Sequence, residues 1–274
     1  MKNPRSLLEQ YDLHPKKKLG QNFLHDPNIL EKIVAAAELG PEEIVIEVGA
    51  GTGALTEVLA RYARHVFAIE IDERLRPILE EQLAPYDNVY LIFADFLQVD
   101  VLQLVGGRSF LVVANLPYYI TSPTLRHLLV AHRRPRRLVL TVQYELAERI
   151  IAKPPEMNLL AVQVQFYGQP QLINRLKPSV FWPRPEVDSA VLRIDTYTEP
   201  AVQVPNADLF FQIARAGFGQ NRKQLKNSLG SGLGISAAAA EQFLATAGID
   251  SKRRAETLTL EEWGLLTRTI ALKP

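Results

Sequence analysis

The feature that most constrains the fold is a unit that repeats between residues 44 and 145: a short apolar run, a turn, and then apolar residues at helical spacing. Such alternation is typical of a parallel β-sheet with helices on both faces. The apolar runs are rich in β-branched and aromatic residues, which favours buried strands over short helices. We predict strands over 44–48, 66–70, 89–93, 110–114 and 138–142, and helices over 54–62, 73–84 and 122–131.

The predicted secondary structure of the second half of the chain changes near residue 200. Two more strand candidates, 161–167 and 190–194, are separated by a proline-rich segment, 177–186, which we do not expect to be regular. Beyond Pro200 and Pro205 only helical patterns remain, over 207–218, 222–229, 236–246 and 260–270. The chain is therefore predicted to hold an α/β domain at 1–200 and a small helical domain at 201–274.

Composition excludes several function classes. The 274 residues include no cysteine, which excludes disulfides, thiolate catalysis and cysteine-ligated zinc. The sequence has no apolar run long enough to span a membrane and no apolar leader after Met1, so we expect a soluble, cytoplasmic protein. We predict no metal site.

Net charge is only +1, but the basic residues are clustered. Solvated helix ends and loops are the ordinary explanation of any one cluster. Phosphate binding needs local positive surface rather than positive total charge, so the clusters are candidate RNA contacts. They comprise Lys16, Lys17 and Lys18; Arg133, Arg134, Arg136 and Arg137; Arg222, Lys223 and Lys226; and Lys252, Arg253 and Arg254.

A glycine-rich turn, Glu47-Val-Gly49-Ala-Gly51-Thr-Gly53, follows the first predicted strand and opens a helix at Ala54. Glycine lets the backbone turn tightly and approach a ligand closely. The pattern fits enzymes that bind NAD, FAD or S-adenosylmethionine, and a tight turn without a ligand is the alternative.

Acidic residues follow the next two strands. Glu70 is placed to accept hydrogen bonds from ribose hydroxyls, and Asp95 could accept from an adenine amino group while Phe96 packs nearby. A single acid after a strand is more often a helix cap. Because ligands of open α/β sheets lie across the carboxyl ends of the strands, the set predicts one adenosine-binding crevice.

The fourth strand leads into Asn115-Leu116-Pro117-Tyr118-Tyr119, the most specific motif in the chain. An exocyclic adenine nitrogen is a poor nucleophile because its lone pair is delocalised into the ring. If the Asn115 side-chain oxygen and the Leu116 or Pro117 carbonyl accept its two N–H bonds, the lone pair is freed to attack a sulfonium methyl group.

Two aromatic residues could hold the base in that reaction. Tyr118 offers a stacking face for an extracted base. Phe181 is a possible second stacking surface, with core packing as the competing explanation. An ordinary asparagine-proline turn is the alternative explanation of the whole motif.

These residues resemble the ribosomal RNA adenine dimethyltransferases of the KsgA (RsmA) type, nearly from end to end. The resemblance implies a seven-stranded, mostly parallel class I methyltransferase sheet of Rossmann-like form with a helical C-terminal domain. The similar segments are Lys18 to Leu24, Glu47 to Gly53, Glu70 to Asp72, Ala94-Asp95, Asn115 to Tyr118, Phe181 to Ala190, Phe218 to Lys223, Leu225 to Leu229 and Arg254 to Leu258.

The resemblance also implies roles. The cofactor would be S-adenosylmethionine, and we expect it to contact Gln21, Asn22, Leu24, Gly49, Gly51, Glu70, Ile71, Asp95, Phe96 and Asn115. Segment 1–40 would contact cofactor and RNA, and 201–274 would recognise the ribosome. The implied reaction is dimethylation of two adjacent adenosines in the last hairpin of 16S (small-subunit) rRNA on an assembling subunit, by a monomer. Tyr144, where a lysine is expected in many relatives, and Gln220-Asn-Arg222 depart from the pattern.

Three other functions are open on sequence grounds. The first is a resistance methyltransferase acting on large-subunit rRNA, which the Arg254 to Leu258 segment argues against. The second is a ribosome-assembly or nucleic-acid-binding factor with secondary or lost chemistry. The third is an NAD-dependent dehydrogenase, disfavoured because the third glycine comes one residue early for the dinucleotide pattern.

Overall fold

The computed structural model describes residues 3–131 and 133–272; residues 1–2, 132 and 273–274, which fall within the predicted domains, lie outside the described part. The chain forms two compact units. One comprises the chain up to Ala147 together with Gln171–Thr196, and the other comprises Glu148–Pro170 together with the chain from Tyr197 onward. The predicted boundary near residue 200 lies close to Thr196. The prediction that 148–170 belongs to the first domain is wrong.

The first unit is built on a sheet. In chain order the strands are β1 (Phe23–Leu24), β2 (Ile44–Val48), β3 (His65–Glu70), β4 (Val89–Phe93), β5 (Leu111–Asn115), β6 (Arg137–Gln143), β7 (Gly168–Leu176), β8 (Phe181–Trp182) and β9 (Ser189–Thr196). Seven of them form one sheet in the order β4-β3-β2-β5-β6-β9-β7. The pairs from β4 to β6 are parallel, and β9 runs antiparallel to β6. The predicted sheet and all five of its parallel strands are confirmed.

The helices follow the predicted pattern in most places. They are α1 (Pro4–Gln10), α2 (Pro27–Ala37), α3 (Ala54–Ala60), α4 (Arg76–Leu83), α5 (Val101–Leu104), α6 (Thr121–Val130), α7 (Tyr144–Ile151), α8 (Leu159–Tyr167), α9 (Ala207–Phe218), α10 (Leu225–Leu233), α11 (Ala237–Thr246) and α12 (Leu260–Ala271). None of the described helices is long and apolar enough to cross a lipid bilayer.

The central strand sets the position of the crevice described below. All five residues of β2 are buried, because β3 and β5 flank it and helices cover its faces. On one face, Val45 packs with apolar residues of α2 and α3. The Asp26 side chain caps α2 by accepting from the backbone N–H groups of Asn28 and Ile29, and Pro27 occupies the first turn. The glycine turn after β2 is therefore held on a rigid base.

The strand predicted over 161–167 is wrong, because this segment is α8. The Asn158 side chain caps the helix, accepting from the Ala161 N–H at 3.1 Å. Most of its residues are buried, so the sequence lacks the polar face that distinguishes a surface helix from a buried strand. The strand follows it as β7, whose Pro170 and alternating exposure suit an edge strand.

The second unit has an aromatic centre. The Phe166 ring of α8 stacks on Phe210 of α9 at a centroid distance of 4.5 Å, and Phe211 packs edge-on against it at 5.0 Å. The last helix of this unit, α12, begins with a capping box formed by Thr259 and Glu262. Segment 148–170 belongs to this unit because its apolar side chains complete this core.

The proline-rich segment is more regular than expected. Pro178–Val180 forms a 3-10 turn, and β8 pairs antiparallel with β1. The register places Phe23 opposite Trp182 and Leu24 opposite Phe181. The expectation of no regular structure at 177–186 is therefore corrected, since its two aromatic residues form the short strand that fastens the N-terminal segment to the first unit.

Candidate active site

One crevice lies across the carboxyl ends of β2, β3, β4 and β5. It is lined by residues that follow each of these strands and by the segment around β1. Every residue predicted to contact the cofactor or the reacting base lines it: Gln21, Asn22, Leu24, Gly49, Gly51, Glu70, Ile71, Asp95, Phe96, Asn115, Leu116, Pro117, Tyr118 and Phe181. These residues therefore lie around one crevice, and their roles stay predictions.

The glycine turn has backbone conformations that favour glycine. Gly49, Gly51 and Gly53 have φ values of 81°, 59° and 86°. A Cβ atom on Gly49 would lie 3.7 Å from the Asn115 carbonyl oxygen, and one on Gly51 would lie 3.1 Å from the Phe23 ring. The glycine turn therefore directly faces the Asn115 loop.

Glu70 holds the glycine turn in place. One carboxylate oxygen accepts from the Gly51 N–H at 2.8 Å, and the other accepts from the Asp72 N–H at 2.9 Å. Burial raises the pKa of Glu70, opposed by these N–H donors. Each oxygen keeps a further lone pair, so a ribose contact is compatible with the structural role.

Asp95 caps the turn that follows β4, which is the alternative role that the sequence analysis gave for an acid after a strand. Its side chain accepts from the Leu97 N–H at 3.0 Å. Phe96 is buried and packs edge-on against His127 at 5.4 Å. Ile71, by contrast, is 50% exposed beside the crevice. This corner thus combines a carboxylate with apolar side chains, the combination that an adenine ring requires.

Asn115 has a fixed amide orientation. Its Nδ2 donates to the Asn22 carbonyl oxygen at 3.0 Å. Because a carbonyl oxygen can only accept, the edge of the amide that faces Asn22 must be the N–H edge. The Oδ1 atom, which has no hydrogen-bond partner within the described chain, is left for a donor in the crevice.

The backbone after Asn115 distinguishes the Leu116 and Pro117 carbonyl groups, the two candidates for a second hydrogen-bond acceptor. The Pro117 carbonyl oxygen accepts from the Ile120 N–H at 3.1 Å, closing a 3-10 turn over Tyr118–Ile120. The Leu116 carbonyl is therefore the better of the two predicted candidates. The Tyr118 hydroxyl lies 2.8 Å from Ser189 Oγ, and burial raises the pKa of this phenol, which stays neutral at physiological pH.

Phe181 packs as a core residue. It is only 3% exposed and belongs to the apolar cluster shared by α2, α3 and the sheet. The packing explanation given for it is confirmed. Since its side chain also lines the crevice, contact with a base stays a prediction.

Sequence reasoning missed Glu47, the acidic residue within β2. Its side chain lines the crevice, is 1% exposed, and has no hydrogen-bond partner at either carboxylate oxygen among the described residues. Burial raises the pKa of Glu47 to about 8, and the carboxylate of Glu70 adds to the effect. An acid inside an otherwise apolar buried strand was the signal that could have identified it.

A buried carboxylate anchors the N-terminal segment at the crevice. Asp72 accepts from Lys16 Nζ at 3.1 Å, from Gln21 Nε2 at 3.0 Å and from Arg74 at 2.6 Å. Although burial opposes it, these donors hold the pKa of Asp72 well below its usual range. Lys16 is therefore tied to the protein, while Lys17 and Lys18 are exposed.

The arginine cluster at 133–137 is placed away from the crevice. It lies at the start of β6, at the amino ends of the parallel strands, and Arg136 pairs with Glu43. Arg137 is 9% exposed and bonds to Asp195, Glu38 and the Ala37 carbonyl. Arg136 and Arg137 are paired with acids, which makes them weaker candidates for phosphate contact, and their RNA role stays a prediction. Arg133 and Arg134 stay predictions, on the edge opposite the crevice.

In the second unit two basic segments meet. The Leu225 N–H donates to the Arg253 carbonyl at 2.7 Å and the Lys226 N–H to the Ser251 carbonyl at 3.3 Å. The exposed members, defined here as the basic loop surface, are Arg222, Lys223, Lys252 and Arg254. Lys226 pairs with Glu241, and Arg253 is bonded to Glu262 and to the Thr257 carbonyl. The Arg253 guanidinium group thus holds the loop to the start of α12, and its RNA contact stays a prediction.

Within 3–131 and 133–272, no group of three or more histidine, cysteine or acidic side chains could hold a metal ion.

The model of the family described as "Ribosomal RNA adenine dimethylase" matches residues 13–271. The chain belongs to the ribosomal RNA adenine dimethylase family.

Individual relatives agree with this assignment. "Ribosomal RNA small subunit methyltransferase A" of Moorella thermoacetica is 47% identical over 97% of this chain and 96% of its own length. The protein of the same name from Dehalococcoides mccartyi is 44% identical over 100% of this chain and 94% of its own length.

Solved structures show the same fold. The 23S rRNA methyltransferase ErmE superposes with a TM-score of 0.75 and 27% identity, over 91% of this chain and 100% of that one. A dimethyladenosine transferase from Plasmodium falciparum gives a TM-score of 0.76 at 24% identity, over 89% of this chain and 95% of that one. The predicted Rossmann-like methyltransferase fold is thus confirmed as that of a ribosomal RNA adenine dimethylase.

Proposed function

We propose that the protein transfers methyl groups from S-adenosylmethionine to the exocyclic N6 of two adjacent adenosines in the 3′-terminal hairpin of 16S rRNA during assembly of the small subunit. The observation that carries the proposal is the orientation of Asn115. Its Nδ2 donates to the Asn22 carbonyl, which leaves Oδ1 without a hydrogen-bond partner among the described residues, on a residue that lines the crevice. Family membership and the names of the most similar curated relatives support the small subunit as target.

The residues of the crevice fit S-adenosylmethionine. A Cβ atom at Gly51 would crowd the Phe23 ring, and the positive φ values of Gly49 and Gly51 favour glycine, whose backbone can approach a ligand closely. Glu47 supplies a buried carboxyl group with no hydrogen-bond partner among the described residues, and a polar group of a ligand could satisfy it. Glu70 and Asp95 offer acceptors for ribose and adenine, and Ile71 and Phe96 offer apolar contact.

S-adenosylmethionine supplies an electrophilic methyl group on a positively charged sulfur. The protein acts on the adenine. Asn115 Oδ1 and the Leu116 carbonyl accept the two N6–H bonds, which draws the nitrogen toward tetrahedral geometry and aims its lone pair away from both acceptors. The nitrogen exchanges one N–H for each methyl group that it gains. The second transfer therefore relies on a single remaining N–H contact.

RNA binding would rest on exposed cations. Lys17 and Lys18 flank the crevice, and the basic loop surface offers a second set in the helical unit. Because Arg136 and Arg137 pair with acids, we leave these two out of the proposed surface, while Arg133 and Arg134 stay candidates. We place the reaction in the cytoplasm, where ribosomal subunits assemble, and propose a monomer with 1–40 at the cofactor and 201–274 at the ribosome.

The alternatives have less support. ErmE, named as a 23S rRNA methyltransferase, shares 27% identity, against 47% for the small-subunit methyltransferase of Moorella thermoacetica. A dehydrogenase would leave the Asn115 loop without a role. An assembly factor that has lost its chemistry would not need the oriented Asn115 amide.

The test is methyl transfer to immature small subunits from cells lacking this enzyme. We expect labelled methyl groups to enter the rRNA and mass spectrometry to find two dimethyladenosines near its 3′ end. Transfer to large-subunit rRNA instead, or no transfer to either, would overturn the proposal. Large subunits serve as the matched control substrate.

A further inference from the structure

A second cavity in the first unit lies next to the crevice and shares a wall with it. Gly20, Gln21, Asn22 and Tyr118 line both cavities. The second one, defined here as the flanking groove, is open to solvent and has a volume of about 540 Å³. That volume is within the range of roughly 300–1,000 Å³ found for small-molecule sites. The two cavities are therefore spaced as neighbouring sites on either side of the Tyr118 ring.

The groove carries an aromatic wall. Trp182 is partly exposed there, between Phe181 and the prolines 183 and 185. The Phe23 ring backs the indole at a centroid distance of 6.4 Å and an interplanar angle of 22°. Register pairing with Phe23 also fixes the Trp182 backbone. A rigid indole supported from behind is a suitable platform for a stacked nucleobase.

Polar groups without partners surround that platform. Lys17 and Arg184 are exposed and form no ion pair in the described part of the chain, and Gln143 has a partly exposed side-chain amide without a hydrogen bond. Glu186 adds an acceptor suited to an amino group or a 2′-hydroxyl. Two cations, an indole and hydrogen-bonding groups match the phosphate, base and ribose of one nucleotide.

We infer that the flanking groove binds the nucleotide next to the target adenosine in single-stranded RNA, with its base on Trp182 and its phosphates at Lys17 and Arg184. The inference rests on the proposed function, since it assumes an RNA strand whose target base enters the crevice. Tyr118, fastened to Ser189 Oγ at 2.8 Å, separates the two bases. Recognition of the neighbour would then contribute to the choice of the target.

The experiment is a double-mutant cycle between protein and RNA. Its probes are oligoribonucleotides with two adjacent adenosines, carrying an abasic residue on the 5′ or the 3′ side of the target. Removing one stacking contact should weaken RNA binding roughly 5- to 150-fold. We expect this loss for W182A with intact RNA and for the wild type with one of the two abasic RNAs, but no further loss when the two changes are combined.

Controls keep structural damage apart from loss of contact. W182F, which keeps a ring against Phe23, should regain most of the affinity and keep the cofactor affinity and melting temperature of the wild type, and W182A is compared at a temperature where it remains folded. Tyr62→Ala removes an exposed aromatic residue of the same unit, away from both cavities, and should leave RNA affinity unchanged. RNA should quench the tryptophan emission of the wild type and leave that of W182F unchanged.

Two results would overturn the inference while leaving the proposed function intact. One is a wild type that methylates small subunits but binds both abasic RNAs as tightly as intact RNA. The other is additive losses for W182A and the abasic RNA, because independent effects mean that the indole and the missing base do not touch. Absence of methylation by the wild type would instead contradict the proposed function.

Discussion

The side-chain amide of Asn115 donates to the backbone carbonyl of Asn22 at 3.0 Å. This bond joins two residues 93 positions apart in sequence and leaves Oδ1 of Asn115, which lines the crevice, without a partner among the described residues. A loop residue is thereby given a single orientation without any charged group. The bond connects the position of the N-terminal segment to the geometry of the reaction.

Asn115→Ala should reduce the methyl-transfer rate about 100- to 1,000-fold, the effect of removing one oriented hydrogen-bonding group from an active site. RNA affinity should stay close to that of the wild type. Single-turnover transfer and equilibrium RNA binding measure the two effects. Asn227→Ala, an exposed asparagine of α10, is the matched control and should change neither. Loss of transfer and of RNA binding together would contradict a role confined to the reacting nitrogen.

Glu47→Gln should change how stability depends on pH. In the unfolded chain this carboxyl ionises near its ordinary pKa of 4.5, while in the folded protein its pKa is about 8. Between these values the unfolded state binds fewer protons, so the free energy of unfolding falls as pH rises, by at most about 1.4 kcal/mol per pH unit.

The glutamine variant should lose that decline and exceed the wild type in stability at pH 8. Melting temperatures between pH 5 and pH 8.5 test this, with Glu80→Gln as the exposed control. Parallel pH profiles for Glu47→Gln and the wild type would show that Glu47 is ionised throughout.

Arg137→Ala should destabilise the protein and leave RNA binding unchanged. Its guanidinium group is nearly buried and bonds to Asp195, Glu38 and the Ala37 carbonyl. Hydrogen bonds to charged groups contribute about 1.5–3 kcal/mol each, and a loss of that size is expected in the free energy of unfolding. Arg133→Ala, an exposed neighbour, is the control for stability. Weaker RNA binding by Arg137→Ala at unchanged stability would restore the original interpretation.

Replacing the four cations of the basic loop surface by alanine should weaken RNA binding for all sequences. For each phosphate contact removed, the slope of log K against log salt should fall by about 0.7–0.9. Binding measured between low and moderate salt gives this slope. Lys32→Ala, an exposed lysine on α2, should leave it unchanged. An unchanged slope in the fourfold variant would exclude this surface from RNA binding.

The parallel sheet and the crevice could be predicted from the sequence because both depend on local signals. A strand such as β2 shows its burial as a nearly continuous apolar run, and the residue that follows it is placed by topology alone. Asp95 shows the limit of that reasoning, since the same carboxylate caps a turn and lines the crevice.

What could not be predicted depends on tertiary contacts. Helix α8 is buried on most sides, so its pattern has no polar face to set the period. Arg137 looks like any member of a basic cluster until β9 places Asp195 beside it. The flanking groove, which Trp182 lines, requires a pairing between β1 and β8 that no residue spacing in the sequence predicts.

The discontinuity of the first unit limits how the chain can be shortened. Because Glu148–Pro170 belongs to the helical unit, cutting after Thr196 would not yield a self-sufficient catalytic half. Such a truncation would remove the rings of Phe210 and Phe211 that pack against Phe166 and Tyr167. The apolar helix α8 would then be exposed to water between β6 and β7. A minimal enzyme would therefore require a redesigned connection between β6 and β7, and removal of the residues after Thr196 alone would not suffice.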